Sequence, residues 1–194
     1  LTLKYELCKE EDKASLSKDL VDLIKMCGDK LSTGFLGTPH LLSVLSDNSY
    51  HDVAYNLLLE TGYPSWLYSV KKGATTMWEH YDGIKEDGSL WPSDMNSYNH
   101  YAYGSVFSYI FNYVVGIKMV KPAYEEIIIK PITDKRLGHI DCKFKSKYGM
   151  IKVSWKYNND KVTYNIAVSK RIKATIILED GFKTTLENGG VLIH

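Results

Sequence analysis

Residues 74–82, ATTMWEHYD, place a tryptophan, a glutamate, a histidine, a tyrosine and an aspartate within five positions. Aromatic neighbours exclude water from a carboxyl, and desolvation raises a carboxyl pKa towards the range useful for proton transfer. Hydrolysis of a glycosidic bond needs two carboxyl groups, one to protonate the leaving oxygen and one to attack or to activate water. It also needs flat rings to lie along the apolar face of a sugar. Glu79, with Trp78, His80 and Tyr81 around it, supplies those types. If the stretch is helical, Asp82 shares a face with Glu79 at i+3 and becomes a second carboxylate. Taken alone, W-E-x-x-D is short enough to arise by chance, and its bland counterpart is a loop with a solvated acid and packed rings. Trp66 and His100 carry the same two readings. A tryptophan after Tyr63-Pro64-Ser65 suits a core, and a lone histidine before a helix is ordinarily structural.

The elements that must position these residues change character along the chain. Leu16, Leu20, Leu23, Ile24 and Cys27 recur at helical spacing and stop at Gly28. A loop, GFLGTP (34–39), leads to a short helix over 40–45, and Val53, Leu57 and Leu58 continue the helical period to Gly62. Ser65 suits the N-cap of a helix running to Val70. After 74–82 and a loop rich in Gly, Asp and Ser, Tyr98, Ala102, Val106, Tyr109 and Tyr113 predict a helix from about Ser97 to Gly116. Beyond Pro122 the apolar period falls to two. Ile140, Cys142 and Phe144 alternate with polar residues, as do Ile151, Val153, Trp155 and Tyr157, and then Val162, Tyr164, Ile166 and Val168. Turn residues separate these runs at Tyr148-Gly149, Asn158-Asn159-Asp160 and Asp180-Gly181. The expected organisation is therefore helical over 1–119 and an antiparallel β-sandwich over 120–194.

Composition removes several classes. The net charge of +1 leaves no electrostatic footprint for nucleic acid. Lysines are spread along the chain, and no apolar run reaches the roughly 18–20 residues of a membrane span. Three cysteines at 8, 27 and 142 match no metal-site spacing and read as reduced, mostly buried thiols. No metal or cofactor is expected. Fifteen tyrosines and four tryptophans outnumber five phenylalanines, a bias that suits sugar binding but is also explained by strand propensity. The first residues, LTLKYEL, read as the inside of an element, so the chain is expected to begin within a domain. Long Gly-rich connections suit a ring of paired helices, and the helices here are too few to close one.

The succession GFLGTP (34–39), GYPSW (62–66), ATTMWEHYD (74–82) and SYNHYAYGSV (97–106) resembles the bacterial α-L-rhamnosidases of glycoside hydrolase family 78 in order and spacing. YEEIIIKP (124–131) and KYGMIKVSW (147–155) resemble the β-sandwich that follows the catalytic domain in that family. The resemblance covers nearly the whole chain. It implies the closing part of an (α/α)6 barrel and hydrolysis, with inversion, of terminal α-L-rhamnosyl groups from rhamnose-containing glycosides. It makes Glu79 the general base and His100 a sugar contact; Trp66 and Trp78, whose motifs lie in the connections between helices, and Asp82 are expected as further substrate-binding residues. The family's E-R-W-D is E-H-Y-D here, which alters the rim at His80 and Tyr81 and leaves Glu79 and Asp82 in place. Its general acid lies in an Asp-, Arg- and Trp-rich segment that nothing here matches.

The resemblance thus implies a C-terminal piece carrying half of a catalytic pair, inactive alone and open to self-association through the cut barrel. Asp82 is too near Glu79 to be its partner acid, and is expected to orient a neighbour or bind a hydroxyl. One rival reading is a non-catalytic carbohydrate-binding protein on a degraded hydrolase scaffold. Another is a different helical-barrel glycosidase or lyase. Aglycone, linkage and compartment stay open.

Overall fold

A computed structural model describes residues 1–194, the Met95 side chain excepted. The chain divides into two compact units, Leu1–Ser108 and Tyr109–His194.

The first unit is built from helices α1 (Lys13–Met26), α2 (Thr38–Asp47), α3 (His51–Leu59) and α4 (Trp66–Lys71), joined by loops that carry most of its aromatic residues. The α2–α3 hairpin supplies the core, with Leu42, Leu45, Ala54, Tyr55 and Leu57 at 2% exposure or less. Ser65 caps α4 as expected, its hydroxyl accepting the Tyr68 N–H at 3.1 Å. Helix α1 meets the expected stripe in part, with Ile24 buried and Leu16 and Leu20 half-buried. Ser17, Val21 and Ile24 are buried, whereas Leu23 and Cys27 are exposed. Buried Ser17 is tolerated because its hydroxyl donates to the Lys13 carbonyl at 2.6 Å. The thiols are correspondingly not buried: Cys27 is exposed and Cys8 and Cys142 are half-buried.

The helix expected from Ser97 starts later. Residues 96–101 are irregular; a 3₁₀ turn covers Ala102–Ser105, followed by α5 (Val106–Tyr109) and a π turn over Ile110–Val114. Asn99 N–H donates to the Ser97 hydroxyl and Ala102 N–H to His100 Nδ1, so side chains take up backbone groups that a helix would have used.

The second unit holds two four-stranded sheets. Strands β1 (Ile117–Met119), β2 (Glu126–Ile129), β6 (Lys173–Ile177) and β7 (Lys183–Leu186) form one in the order β1-β2-β6-β7. Strands β3 (His139–Ser146), β4 (Gly149–Asn158), β5 (Lys161–Val168) and β8 (Gly190–Ile193) form the other in chain order. The second sheet is antiparallel throughout, with Trp155 opposite Tyr164 and Val153 opposite Ile166. The first is not, since β2 and β6 run parallel. The whole β3–β5 meander intervenes between them, and a connection of that length permits parallel pairing.

Period-two alternation gives each sheet one buried face. Ile127, Ile129, Ala174 and Ile176 from one sheet, and Ile151, Val153 and Ile166 from the other, are wholly buried. Trp155 joins them at 1% exposure, and its indole N–H donates to the Val114 carbonyl at 2.8 Å. Thr133 connects the two sheets' ends through Glu179 and the Tyr157 hydroxyl.

Gly116 closes the π turn with φ +82°, and its carbonyl accepts Lys130 N–H at 2.8 Å. A Cβ there would lie 2.3 Å from the Lys130 carbonyl carbon and from Pro131 N. Backbone on backbone cannot yield by rotamer change. Gly116→Ala should therefore destabilise the second unit by about 3 kcal/mol, read as a lower denaturant midpoint; an unchanged midpoint would show that the turn is not held as described.

Candidate active site

The stretch 74–82 is irregular, so Glu79 and Asp82 do not share a helical face. Its backbone is instead paired with residues 97–100. Glu79 N–H donates to the Ser97 carbonyl at 2.8 Å, Ser97 N–H donates to Glu79 Oε2 at 2.9 Å, and His100 N–H donates to the Met77 carbonyl at 2.8 Å. The Thr76 hydroxyl donates to the Tyr98 carbonyl. Glu79 and His100 are thereby brought onto adjoining loop segments. Behind them Trp78 is buried edge-on to Tyr98, centroids 5.4 Å apart. The Tyr98 hydroxyl donates to the Gly83 carbonyl at 2.9 Å. Gly83 must be glycine, because a Cβ would come within 2.9 Å of the Trp78 ring.

His100 lies parallel to two rings, Phe35 at 4.8 Å and Tyr101 at 5.5 Å. Its Nδ1 accepts the Ala102 N–H at 3.3 Å, which leaves Nε2 as the ring nitrogen outside that bond. Phe35 also touches Tyr103, which stacks on Tyr81 at 4.0 Å, and Tyr81 meets Trp66 edge-on at 6.0 Å. Trp66 is 5% exposed and its indole N–H is satisfied by the Tyr103 carbonyl at 2.9 Å. Trp66 is thus a buried ring at the inner end of the row. Trp78, at 6% exposure, is a buried support in the same sense.

Asp82 turns to the following loop. Its Oδ1 accepts the Trp91 indole N–H at 3.2 Å, and Trp91 lies flat on His80 at 4.5 Å with Lys85 Nζ 4.7 Å from its centroid.

Tyrosines link the two carboxylates. Burial raises the Tyr103 hydroxyl above its ordinary pKa, and the neighbouring Tyr63 and Glu79 add to the rise. Burial raises Tyr63 likewise, with Asp82 as the second cause. Tyr63 follows a pattern of local restraint: its carbonyl accepts Lys30 Nζ at 2.5 Å, and its peptide bond to Pro64 is cis. The residues that sequence reasoning did not single out are thus Phe35, Tyr63, Trp91, Tyr101 and Tyr103. All lie in or beside motifs recognisable in the sequence, but nothing in their spacing marks which rings meet.

A carboxylate on an irregular loop, a histidine on the adjoining segment and a row of stacked rings are the residue types that carbohydrate chemistry uses. Residues 1–114 match the bacterial alpha-L-rhamnosidase 6 hairpin glycosidase domain and residues 116–191 the bacterial alpha-L-rhamnosidase C-terminal domain. The chain belongs to the bacterial α-L-rhamnosidase family. It is 41% identical over 155 residues to an alpha-L-rhamnosidase of Streptomyces avermitilis, covering 80% of this chain and 15% of that protein. It is 35% identical over 176 residues to one of Formosa agariphila, covering 91% and 19%. Among solved structures, the Streptomyces avermitilis alpha-L-rhamnosidase complexed with L-rhamnose superposes with a TM-score of 0.88 at 33% identity, over 99% of this chain and 20% of that one. The native enzyme from Aspergillus terreus gives 0.91 at 32%, over 100% and 23%. The chain therefore spans about a fifth of the length of its relatives.

Among the described residues the Tyr81 hydroxyl is buried without a hydrogen bond of good geometry, and burial pushes its pKa strongly upward against a smaller lowering by the Thr38 hydroxyl. Thr38 is a polar neighbour, but its hydroxyl already bonds Thr33 and Gly34. An unsatisfied buried hydroxyl costs about 1–3 kcal/mol. Tyr81→Phe keeps the ring stack and removes that cost, so it should leave stability unchanged or raise it by about 1 kcal/mol. A clear fall in melting temperature would mean that the hydroxyl has a partner.

Proposed function

We propose that these residues form the C-terminal part of an inverting α-L-rhamnosidase acting on terminal α-L-rhamnosyl groups, with Glu79 as general base. The observation that carries this reading is the Ser97 N–H bond to Glu79 Oε2, which ties the carboxylate to the segment that carries His100. With one oxygen held by backbone, the other accepts a proton from the attacking water. That water adds to the anomeric carbon on the face opposite the departing oxygen. The general acid that protonates this oxygen is supplied by chain outside these 194 residues, about 6.5–9.5 Å from Glu79 in an inverting arrangement. His100 presents Nε2 to a sugar hydroxyl. Asp82, through Trp91, holds the neighbouring loop, and Trp66 and Trp78 shape the pocket from behind. On this reading residues 1–119 are the closing part of an (α/α)6 barrel and 120–194 the sandwich after it. The L-rhamnose complexed with the Streptomyces avermitilis relative and the family assignment support the sugar named.

Alone, the segment lacks half of the catalytic pair. It also exposes Leu7, Leu23 and Met26, which supports self-association of the isolated piece.

In the full-length polypeptide, Glu79→Gln should lower turnover of an aryl α-L-rhamnoside by roughly 10²–10⁴-fold with little change in affinity. Azide, which needs no deprotonation, should restore turnover and yield a β-configured product. Asp82→Asn should cost less. Near-normal turnover of Glu79→Gln with collapse of Asp82→Asn would transfer the base to Asp82. The isolated 194 residues should not hydrolyse a natural rhamnoside, and a robust rate would place the acid within them.

A further inference from the structure

The row of rings in the first unit runs from buried to open. Trp66, Tyr81 and Tyr103 are at most 9% exposed, Phe35 is 41% exposed and Tyr101 is 89% exposed. Both outer rings lie against His100, and the interplanar angles of 20° and 7° make Phe35, His100 and Tyr101 a set of nearly parallel plates. Neither outer ring sits on a loose segment. Tyr101 precedes the 3₁₀ turn Ala102–Ser105, and its carbonyl accepts Gly104 N–H at 2.9 Å. Phe35 lies in a tight turn that buried Thr38 pins, its hydroxyl reaching the Thr33 and Gly34 carbonyls at 2.9 Å each. A flat, immobilised ring with its face in solvent binds another flat apolar face at little entropic cost.

We propose that Tyr101, with Phe35, is a platform for the second ring of the substrate, the one that carries the rhamnosyl group. This rests on the proposed function, because a terminal rhamnosyl unit held at Glu79 and His100 has one neighbouring ring, that of its leaving group. The ligand chemistry is a flat ring with an apolar face. A pyranose and a planar phenolic ring both offer one.

The test uses the full-length polypeptide, with Tyr101→Ala and Tyr101→Trp assayed on three α-L-rhamnosides. These are a methyl rhamnoside, a rhamnosyl-glucoside and a rhamnoside of a planar polycyclic phenol. Tyr101→Ala should raise KM about three- to tenfold for the ring-bearing substrates, the worth of one stacked ring, and leave the methyl rhamnoside unchanged. Tyr101→Trp should restore the loss. A larger effect on the glucoside assigns the platform to sugar, and a larger effect on the phenol assigns it to a planar aromatic; either supports the proposal. Equal loss on all three substrates would make Tyr101 a support for His100 and overturn it. A lower melting temperature with no substrate-dependent change would assign the ring to packing against the rest of the polypeptide, and would also overturn it. Failure of Glu79→Gln to impair turnover would remove the proposed base without changing the ordering of the three substrates, so the two readings fail separately.

Discussion

Everything at the candidate site depends on one exchange of hydrogen bonds, Glu79 N–H to the Ser97 carbonyl and Ser97 N–H back to the Glu79 carboxylate. Loops that run close to a core leave polar backbone groups that must find partners. Here two irregular segments satisfy each other, with His100 to Met77 and Thr76 to Tyr98 extending the pairing on either side. A side chain takes one place in what is otherwise a backbone ladder. The position of the carboxylate is then set by the chain path and not by packing around a flexible stem. A glutamate that gives up rotamer freedom at this point loses about 1.5–2 kcal/mol. The gain is a group already placed when a ligand arrives.

Parts of this were legible in the sequence and parts were not, for physical reasons. Alternation over 151–157 and 162–168 marked strands correctly because each sheet buries one face, and a one-residue slip would have exposed every core side chain. Ser65 was legible because a cap acts on residues three positions away. The inward face of α1 was legible only at Ile24, since Leu16, Leu20 and Leu23 fit the helical period with it as well as Ser17 and Val21 do, and only tertiary packing chooses between them. The helix expected from Ser97 failed in its first turn because Ser97 and His100 bond the backbone locally, which periodicity does not register. The parallel β2–β6 pair joins strands more than 40 residues apart in sequence and leaves no local signature. At the site, the motifs could be named, but the ring contacts could not, because partners as distant in sequence as Phe35 and His100 and as near as His100 and Tyr101 share no fixed spacing.

The aromatic row explains how such a loop-built site keeps its shape. Trp66 anchors the inner end with a satisfied indole N–H, and each ring outward is fixed by the face or edge of the one before it. Aromatic side chains have only two torsions, so a stack of them stiffens a loop at small entropic cost. The unsatisfied Tyr81 hydroxyl is the local cost of that arrangement.

The two carboxylates of the opening motif have been separated by environment although three residues divide them. Glu79 is committed to a backbone N–H beside His100, and Asp82 to the indole of Trp91 on the next loop. The Glu79 charge reaches the Tyr103 hydroxyl, and the Asp82 charge reaches those of Tyr63 and Tyr68. Every bond that orients Glu79 and His100 comes from residues 76–102, and every ring of the row lies between 35 and 103. The half-site is therefore assembled by contacts within the first unit and needs no partner carboxyl to hold its geometry. On the proposed function, that independence suits an inverting reaction, where base and acid must stand apart with a water and a sugar between them. Two carboxyls that relied on each other for position would be drawn together; a base braced by its own loop can be met across a gap.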